Sequence, residues 1–435
     1  VRRLLLGLTL LAAAAVAHAE TPAPSVVRRT LPNGLTVLVR PDPSAGVVAV
    51  SLQVRAGSLF ERGETAGITN FLHRVMARGT KRYTAVQLAE AIEDLGGSLD
   101  ASGDIEYAEV RGNALARNWE PLLELVAEVA LRPTLPADEI ERERRLIRSA
   151  LQTRRDTPFQ RAFDVAIEDL YRSHPYSWPS VGRRQSIDRI DRAALQEQYA
   201  AIYRPDRMVL AVSGAVPAGG VVQAAARLFR MTVPAAPALQ VTPAAPEPRA
   251  DRRVVEQPVQ QAQVLVGFLG PALTDPDYPA ARVLATVLGG GMSSRLFAEL
   301  RDRRGLAYSV VTFGMYRTGP APLVTYLGTA PPNVESAEAG VLAEIERMRD
   351  GPVTERELAR AKAYLLGTLA MDRRTNARHA WYLAFFEVVG AGWDFPDRYA
   401  RAVERVTAAD VARVARAYLT RPTVVVLQPP KPGPR

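Results

Sequence analysis

The chain has 435 residues, 47% of them hydrophobic and 23% charged, which is ordinary for a globular protein and enough for two cores of common size. Its net charge of +9 comes almost wholly from arginine, with lysine only at Lys81, Lys362 and Lys431. The basic residues are interspersed with acids, so neither a basic stripe nor an aromatic platform points to nucleic acid. There is no cysteine, which removes disulfides, thiolate metal sites and a cysteine nucleophile.

The first element is Val1-Arg2-Arg3, an apolar run from Leu4 to Val16, and the small-x-small triplet Ala17-His18-Ala19 before Glu20. A basic start, apolar centre and small-residue cleavage site predict a signal peptide over 1–19. The run is shorter than the ~20 residues that span hydrocarbon, which argues against a membrane anchor. Export is expected, to a periplasm or beyond the cell. Later apolar runs are broken by charge or proline, so no membrane association is expected after cleavage.

Strand-like alternation follows in Thr36-Val-Leu-Val-Arg40 and Val47-Val-Ala-Val-Ser-Leu-Gln-Val54, and again in Gln263-Val-Leu-Val-Gly-Phe268. Between Thr232 and Arg249 the chain turns rich in proline and alanine without periodicity, predicting an extended linker over 233–250. Units at 20–232 and 251–435 flank it and resemble each other. Leu135-Pro-Ala-Asp-Glu-Ile-Glu-Arg-Glu-Arg144 and Pro352-Val-Thr-Glu-Arg-Glu-Leu-Ala-Arg-Ala361 each open a long amphipathic helix. Ser186-Ile-Asp-Arg-Ile-Asp-Arg leads through a helix to Met208-Val-Leu-Ala-Val-Ser213, as Val403-Glu-Arg-Val-Thr-Ala-Ala-Asp leads to Thr423-Val-Val-Val-Leu427. Both pairs are offset by about 216 residues, so the chain reads as a duplicated α+β unit. Strands grouped apart from helices predict mostly antiparallel or mixed sheets covered on one face.

The segment Gly67-Ile-Thr-Asn-Phe-Leu-His-Arg-Val-Met-Ala-Arg-Gly-Thr80 predicts an amphipathic helix. At 100° per residue Ile68, Phe71, Leu72, Val75 and Met76 share one face, and Asn70, His73, Arg74 and Ala77 lie opposite, away from the core. Taken alone, that polar face fits a solvated helix surface. Its frame, however, resembles the inverted zinc motif of the insulinase/pitrilysin family of zinc peptidases, in which Gly-x-x-His-x-x-Glu-His precedes Gly-Thr. Asn33-Gly34-Leu35 and Ala56-Gly57-Ser58 fit the same frame.

The resemblance places the family's two histidine ligands on Asn70 and Arg74 and its general-base glutamate on His73. The third ligand, a glutamate 76 positions beyond the second histidine, falls on Ala150. All four positions of the motif are degenerate. Zinc needs neutral imidazoles or anionic donors, and a permanently charged guanidinium repels it. No metal is therefore expected in this chain. Apart from His73, the mature chain has only His174 and His379, too far apart in sequence to suggest a substitute pair.

The second half keeps more. In Leu288-Gly-Gly-Gly-Met-Ser-Ser-Arg-Leu-Phe-Ala-Glu-Leu-Arg-Asp-Arg-Arg-Gly-Leu-Ala-Tyr-Ser-Val310, Gly289 to Gly291 end one helix, Ser293 or Ser294 caps the next, and Arg304-Gly305 breaks it before a strand. No Gly-Lys-Ser/Thr of a phosphate loop is present. The resemblance implies that Arg301 and Tyr308 match an arginine and tyrosine that reach the zinc site, the arginine holding a substrate carbonyl and the tyrosine donating to the oxyanion. A surface arginine and a strand-packed tyrosine are the plainer alternative.

Family members also bind extended peptide by β-augmentation. The matching segment is Gly97-Ser-Leu-Asp-Ala-Ser102, which puts Asp100 and Ala101 at the substrate strand; a plain edge strand turning at Gly103 fits as well. His174-Pro175-Tyr176, Val181-Gly182 and Tyr203-Arg-Pro-Asp-Arg-Met208 read as structural pieces. Some relatives divide the enzyme between two homologous chains. The expectation is a non-catalytic subunit of an exported heterodimer whose partner carries an intact His-x-x-Glu-His and the zinc. A proteolytically inactive peptide-binding or scaffold pseudo-enzyme is the main alternative, ahead of an unrecognised active site.

Overall fold

The computed structural model describes residues 25–44, 46–231 and 246–430; the leader-like 1–19 and residues 232–245 of the linker segment lie outside them. In the first half, strands β1 (Val27–Thr30), β2 (Thr36–Pro41), β3 (Val47–Val54), β4 (Ser98–Gly103), β5 (Ala108–Leu115) and β6 (Met208–Gly214) form one sheet. In the second, β7 (Asp251–Glu256), β8 (Ala262–Gly270), β9 (Ser309–Gly314), β10 (Ala321–Thr329) and β11 (Thr423–Gln428) form another. Their orders are β1-β2-β6-β3-β5-β4 and β7-β11-β8-β10-β9. Strand for strand the second sheet repeats the first: β2 pairs parallel with β6 as β7 does with β11, and the remaining pairs are antiparallel. The expected duplication is thus a repeat of topology, with β1 as an addition to the first sheet.

Helices α1 (Ile68–Met76), α2 (Ala85–Asp94), α3 (Trp119–Leu131), α4 (Ala137–Asp156), α5 (Pro158–Tyr171), α6 (Arg184–Arg189), α7 (Arg192–Ile202) and α8 (Ala218–Leu228) belong to the first half. The second contributes α9 (Tyr278–Gly289), α10 (Val334–Asp350), α11 (Glu355–Asp372), α12 (Asn376–Val388), α13 (Phe395–Arg405) and α14 (Ala408–Tyr418). The Thr-x-x-Glu that opened the second repeat helix in the sequence is a capping box: Thr354 Oγ1 accepts from the Glu357 N–H and the Glu357 carboxylate accepts from the Thr354 N–H.

Each sheet is covered on one face by helices of its own half, as expected, but its other face is not bare. Helix α5 of the first half packs on β8 and β11, with Ala162, Val165 and Ala166 against Leu265, Val425 and Leu427. Reciprocally, α12 of the second half packs on β2, β3 and β6, where Leu38, Ala49, Val209 and Ala211 join the second-half core. The exchange corrects the one-face expectation. Its physical cause is visible in the strands: β3, β6 and β8 bury both of their faces almost throughout, so they need cover on both. Polar contacts fix the exchange, with Ser213 donating to Asn376 Oδ1 at 2.8 Å and Thr318 donating to Glu106 Oε1 from its backbone N–H (2.8 Å) and its hydroxyl (2.7 Å). No helix among the described residues is long and apolar enough to cross a membrane.

Candidate functional site

Helix α1 enters at Gly67, whose φ of 93° is left-handed and whose missing Cβ lets it lie against Gly182; a Cβ there would come within 2.5 Å of the Gly182 Cα. The Glu61 carboxylate accepts the N–H groups of Gly67 (2.7 Å) and Thr69 (2.9 Å), so the first turn of α1 is capped by a buried acid from the preceding loop. Ile68, Phe71, Leu72, Val75 and Met76 are buried as the helical spacing predicts.

His73 departs from that prediction. It was placed on the face turned away from the core, yet its side chain is fully buried. Helix α7 and the loop after it cover this face, bringing Tyr203 onto the imidazole. His73 Nδ1 lies 2.7 Å from the Thr69 carbonyl, and because a carbonyl only accepts, Nδ1 carries the proton. Nε2 therefore accepts from the Tyr203 hydroxyl at 2.8 Å. Burial lowers the His73 pKa to about 4, so the ring is neutral near neutral pH, and both nitrogens are already engaged.

This histidine makes stability pH-dependent in a definite direction. Its folded value of about 4 lies below its ordinary 6.5, so its contribution is complete above about pH 6.5 and is lost as the pH falls towards 4. At roughly 1.4 kcal/mol per unit the full loss is about 3.5 kcal/mol, of which about 2–3 kcal/mol falls above about pH 4.5. In urea titrations, the stability advantage of wild type over His73→Gln is expected to shrink by that amount between about pH 7.5 and about pH 4.5. A pH-independent difference would contradict the assignment.

The other motif positions are also committed. Arg74 Nε donates to Glu143 Oε2 at 2.8 Å and Arg78 Nε to Glu143 Oε1 at 2.7 Å, while Glu143, on α4, has no exposed surface. Asn70 Nδ2 donates to the Gly103 carbonyl at the end of β4 (2.9 Å), and its Oδ1 is buried without a partner. Ala150 lies on the same helix as Glu143, two turns further on and exposed, and offers no donor atom. The group at the motif is thus a paired guanidinium, a tethered amide and an imidazole with both nitrogens bonded. It does not fit a zinc ion, and among the described residues no three His, Cys, Asp or Glu side chains converge as a metal cluster would.

Asp100 and Ala101 sit on β4, an edge strand of the first sheet. Asp100 is exposed and pairs at 2.8 Å with Arg111, its cross-strand neighbour on β5, whereas the Ala101 methyl is buried. Asn70, Arg74, Arg78 and the stretch Leu99 to Ser102 line one cavity of about 480 Å³ alongside this edge.

Arg301 lies on a π-helical turn, Phe297–Arg303, that ends before Gly305. The serine cap expected for this helix is absent: the Ser294 hydroxyl is buried without a hydrogen-bond partner. The Arg301 guanidinium stacks 4.6 Å from the Phe297 ring centre and 5.3 Å from that of Tyr308, so the pair seven residues apart meets in space. Tyr308 directly precedes β9, an edge strand of the second sheet, and is 79% exposed. Among the described residues no hydrogen bond or ion pair ties Arg301 or Tyr308 to α1. His174 serves a turn, its Nδ1 accepting the Tyr176 N–H at 3.1 Å.

Sequence reasoning missed Glu61, Glu143 and Tyr203. Glu143 did leave a signal, since an acid between Ile140 and Ile147 stands on the buried stripe of α4.

Comparison with known proteins agrees with the fold. Residues 36–182 match the insulinase (peptidase family M16) domain, and residues 189–365 match the peptidase M16 inactive domain. The chain belongs to the insulinase family, M16. A protein of Mycobacterium tuberculosis described as an uncharacterized zinc protease is 32% identical over 402 residues, spanning 91% of each chain. A protein of Rickettsia bellii with the same description is 25% identical over 406 residues, 92% of this chain and 96% of that one. Among solved structures, a protease from Helicobacter pylori has a TM-score of 0.88 at 24% identity, and a peptidase M16 inactive domain from Pseudomonas fluorescens has 0.86 at 24%. Each covers 94% of this chain and 100% of its own. These two show the shared fold.

Proposed function

We propose that this M16 chain is the non-catalytic subunit of an exported two-chain zinc metallopeptidase and completes the active site of a homologous partner. The partner would hold the zinc on an intact His-x-x-Glu-His, and this chain would hold none. The observation that carries the reading is the Arg74–Glu143–Arg78 pairing, which fills the metal-motif helix with bonds of its own, while Arg301 is half-buried against an exposed Tyr308 beside an edge strand. In that role Arg301 would hold a substrate carbonyl and the Tyr308 hydroxyl would donate to the oxyanion. A leader-like start favours export of the mature chain.

A second reading, a proteolytically inactive peptide binder, is favoured by the edge strand β4 and the cavity beside it. Mixing separates the two. Peptide cleavage that needs both this chain and a partner with the intact motif supports the divided enzyme; binding of peptide, with turnover by the partner unchanged when this chain is added, supports the binder.

A further inference from the structure

We infer that the degenerate metal motif has become an anion-recognition site, in which Arg74 and Arg78 receive an acidic side chain of an extended peptide lying along β4. The inference rests on the peptide-handling part of the reading above and adds the class of peptide. Two guanidinium groups share one carboxylate, each through its Nε, and both Glu143 oxygens are thereby used. Among the described residues no hydrogen bond is made by the terminal nitrogens of either arginine. Both side chains are partly open, Arg74 at 31% and Arg78 at 39%, and both line the cavity that follows Leu99 to Ser102. Asp100, the acid of that wall, pairs with Arg111, which also lies 3.9 Å from Glu109 on β5. Arg74, Arg78 and Glu143 together leave one uncompensated positive charge with planar donors facing a cavity, which complements a carboxylate.

The adjoining sheet edge selects the kind of molecule that brings the carboxylate. Among the described residues β4 pairs with β5 alone, so apart from the Gly103 carbonyl held by Asn70 its outer backbone groups are available to an extended chain, and side chains of that chain alternate in direction. A peptide added there points every second side chain to one face, within reach of α1. A charge-assisted contact to two guanidinium groups distinguishes Glu from the isosteric Gln by about tenfold in affinity or more.

The test is calorimetric titration of the full mature chain with two acetylated, amidated peptides of Val and Thr, one with Glu and one with Gln at alternate positions. The Glu peptide is expected to bind at least about tenfold tighter, with the preference weakening as salt is raised. In the charge-balanced variant R74Q/R78Q/E143Q, which leaves no unpaired buried acid, affinity for the Glu peptide should fall to the level of the Gln peptide. Equal affinities in wild type, a preference that survives in the variant, or no binding of either peptide would overturn the inference. Partner-dependent cleavage that requires Arg301 and Tyr308 is a separate readout, so any of these results leaves the subunit assignment standing.

Discussion

Replacing Arg74 and Arg78 together by alanine is expected to destabilise the fold by about 3 kcal/mol, and adding Glu143→Gln to that variant should restore most of it. The first effect follows from burial. Glu143 has no exposed surface, and its two oxygens are satisfied by the two Nε donors. Removing both donors strands a carboxylate between α4 and α1, and a buried charge without a partner is among the costliest defects a mutation can create. The value sits at the low end of the range for broken buried pairs because the arginine side chains are themselves about a third exposed. The second effect follows from the same cause, since a neutral amide needs no counter-charge. Urea unfolding of wild type, R74A/R78A and R74A/R78A/E143Q checks both. A triple variant no more stable than the double would show that the lost packing of the arginine stems dominates.

The other large effect concerns turnover. With the catalytic partner present, Arg301→Ala or Tyr308→Phe should lower kcat roughly ten- to a thousand-fold, the range for lost oxyanion-type contacts. Tyr308 is 79% exposed, so removing its hydroxyl should leave folding stability almost unchanged. Loss of turnover with intact stability and intact partner binding would therefore locate the effect in the reaction. Wild-type turnover from both variants would remove these residues from the partner's site.

Much of the fold was legible because it is written twice. The helix openings at Leu135 and Pro352, and the strands at Met208 and Thr423, recur in the same order, and the two sheets repeat the same pairing. The exchange of α5 and α12 was not legible, because periodicity identifies an apolar face without saying which sheet it meets. The same limit explains His73. A helical wheel sets it opposite Phe71 and Leu72, and only the long-range approach of Tyr203 turns that face inward. At the motif, the residue frame put Asn70, His73 and Arg74 at the family's ligand and base positions, but counting along the chain led to Ala150. It passed over Glu143, the acid on α4 that Arg74 meets, because helix-to-helix pairing depends on packing rather than on sequence interval.

Zinc content of the isolated mature chain tests the central assignment most directly. After equilibration with zinc and exhaustive dialysis, metal should remain far below one ion per chain, while the complex with the catalytic partner should retain it and cleave peptide. One tightly held zinc per isolated chain, or peptide hydrolysis by that chain alone, would contradict the assignment of this chain as the metal-free half of a divided peptidase.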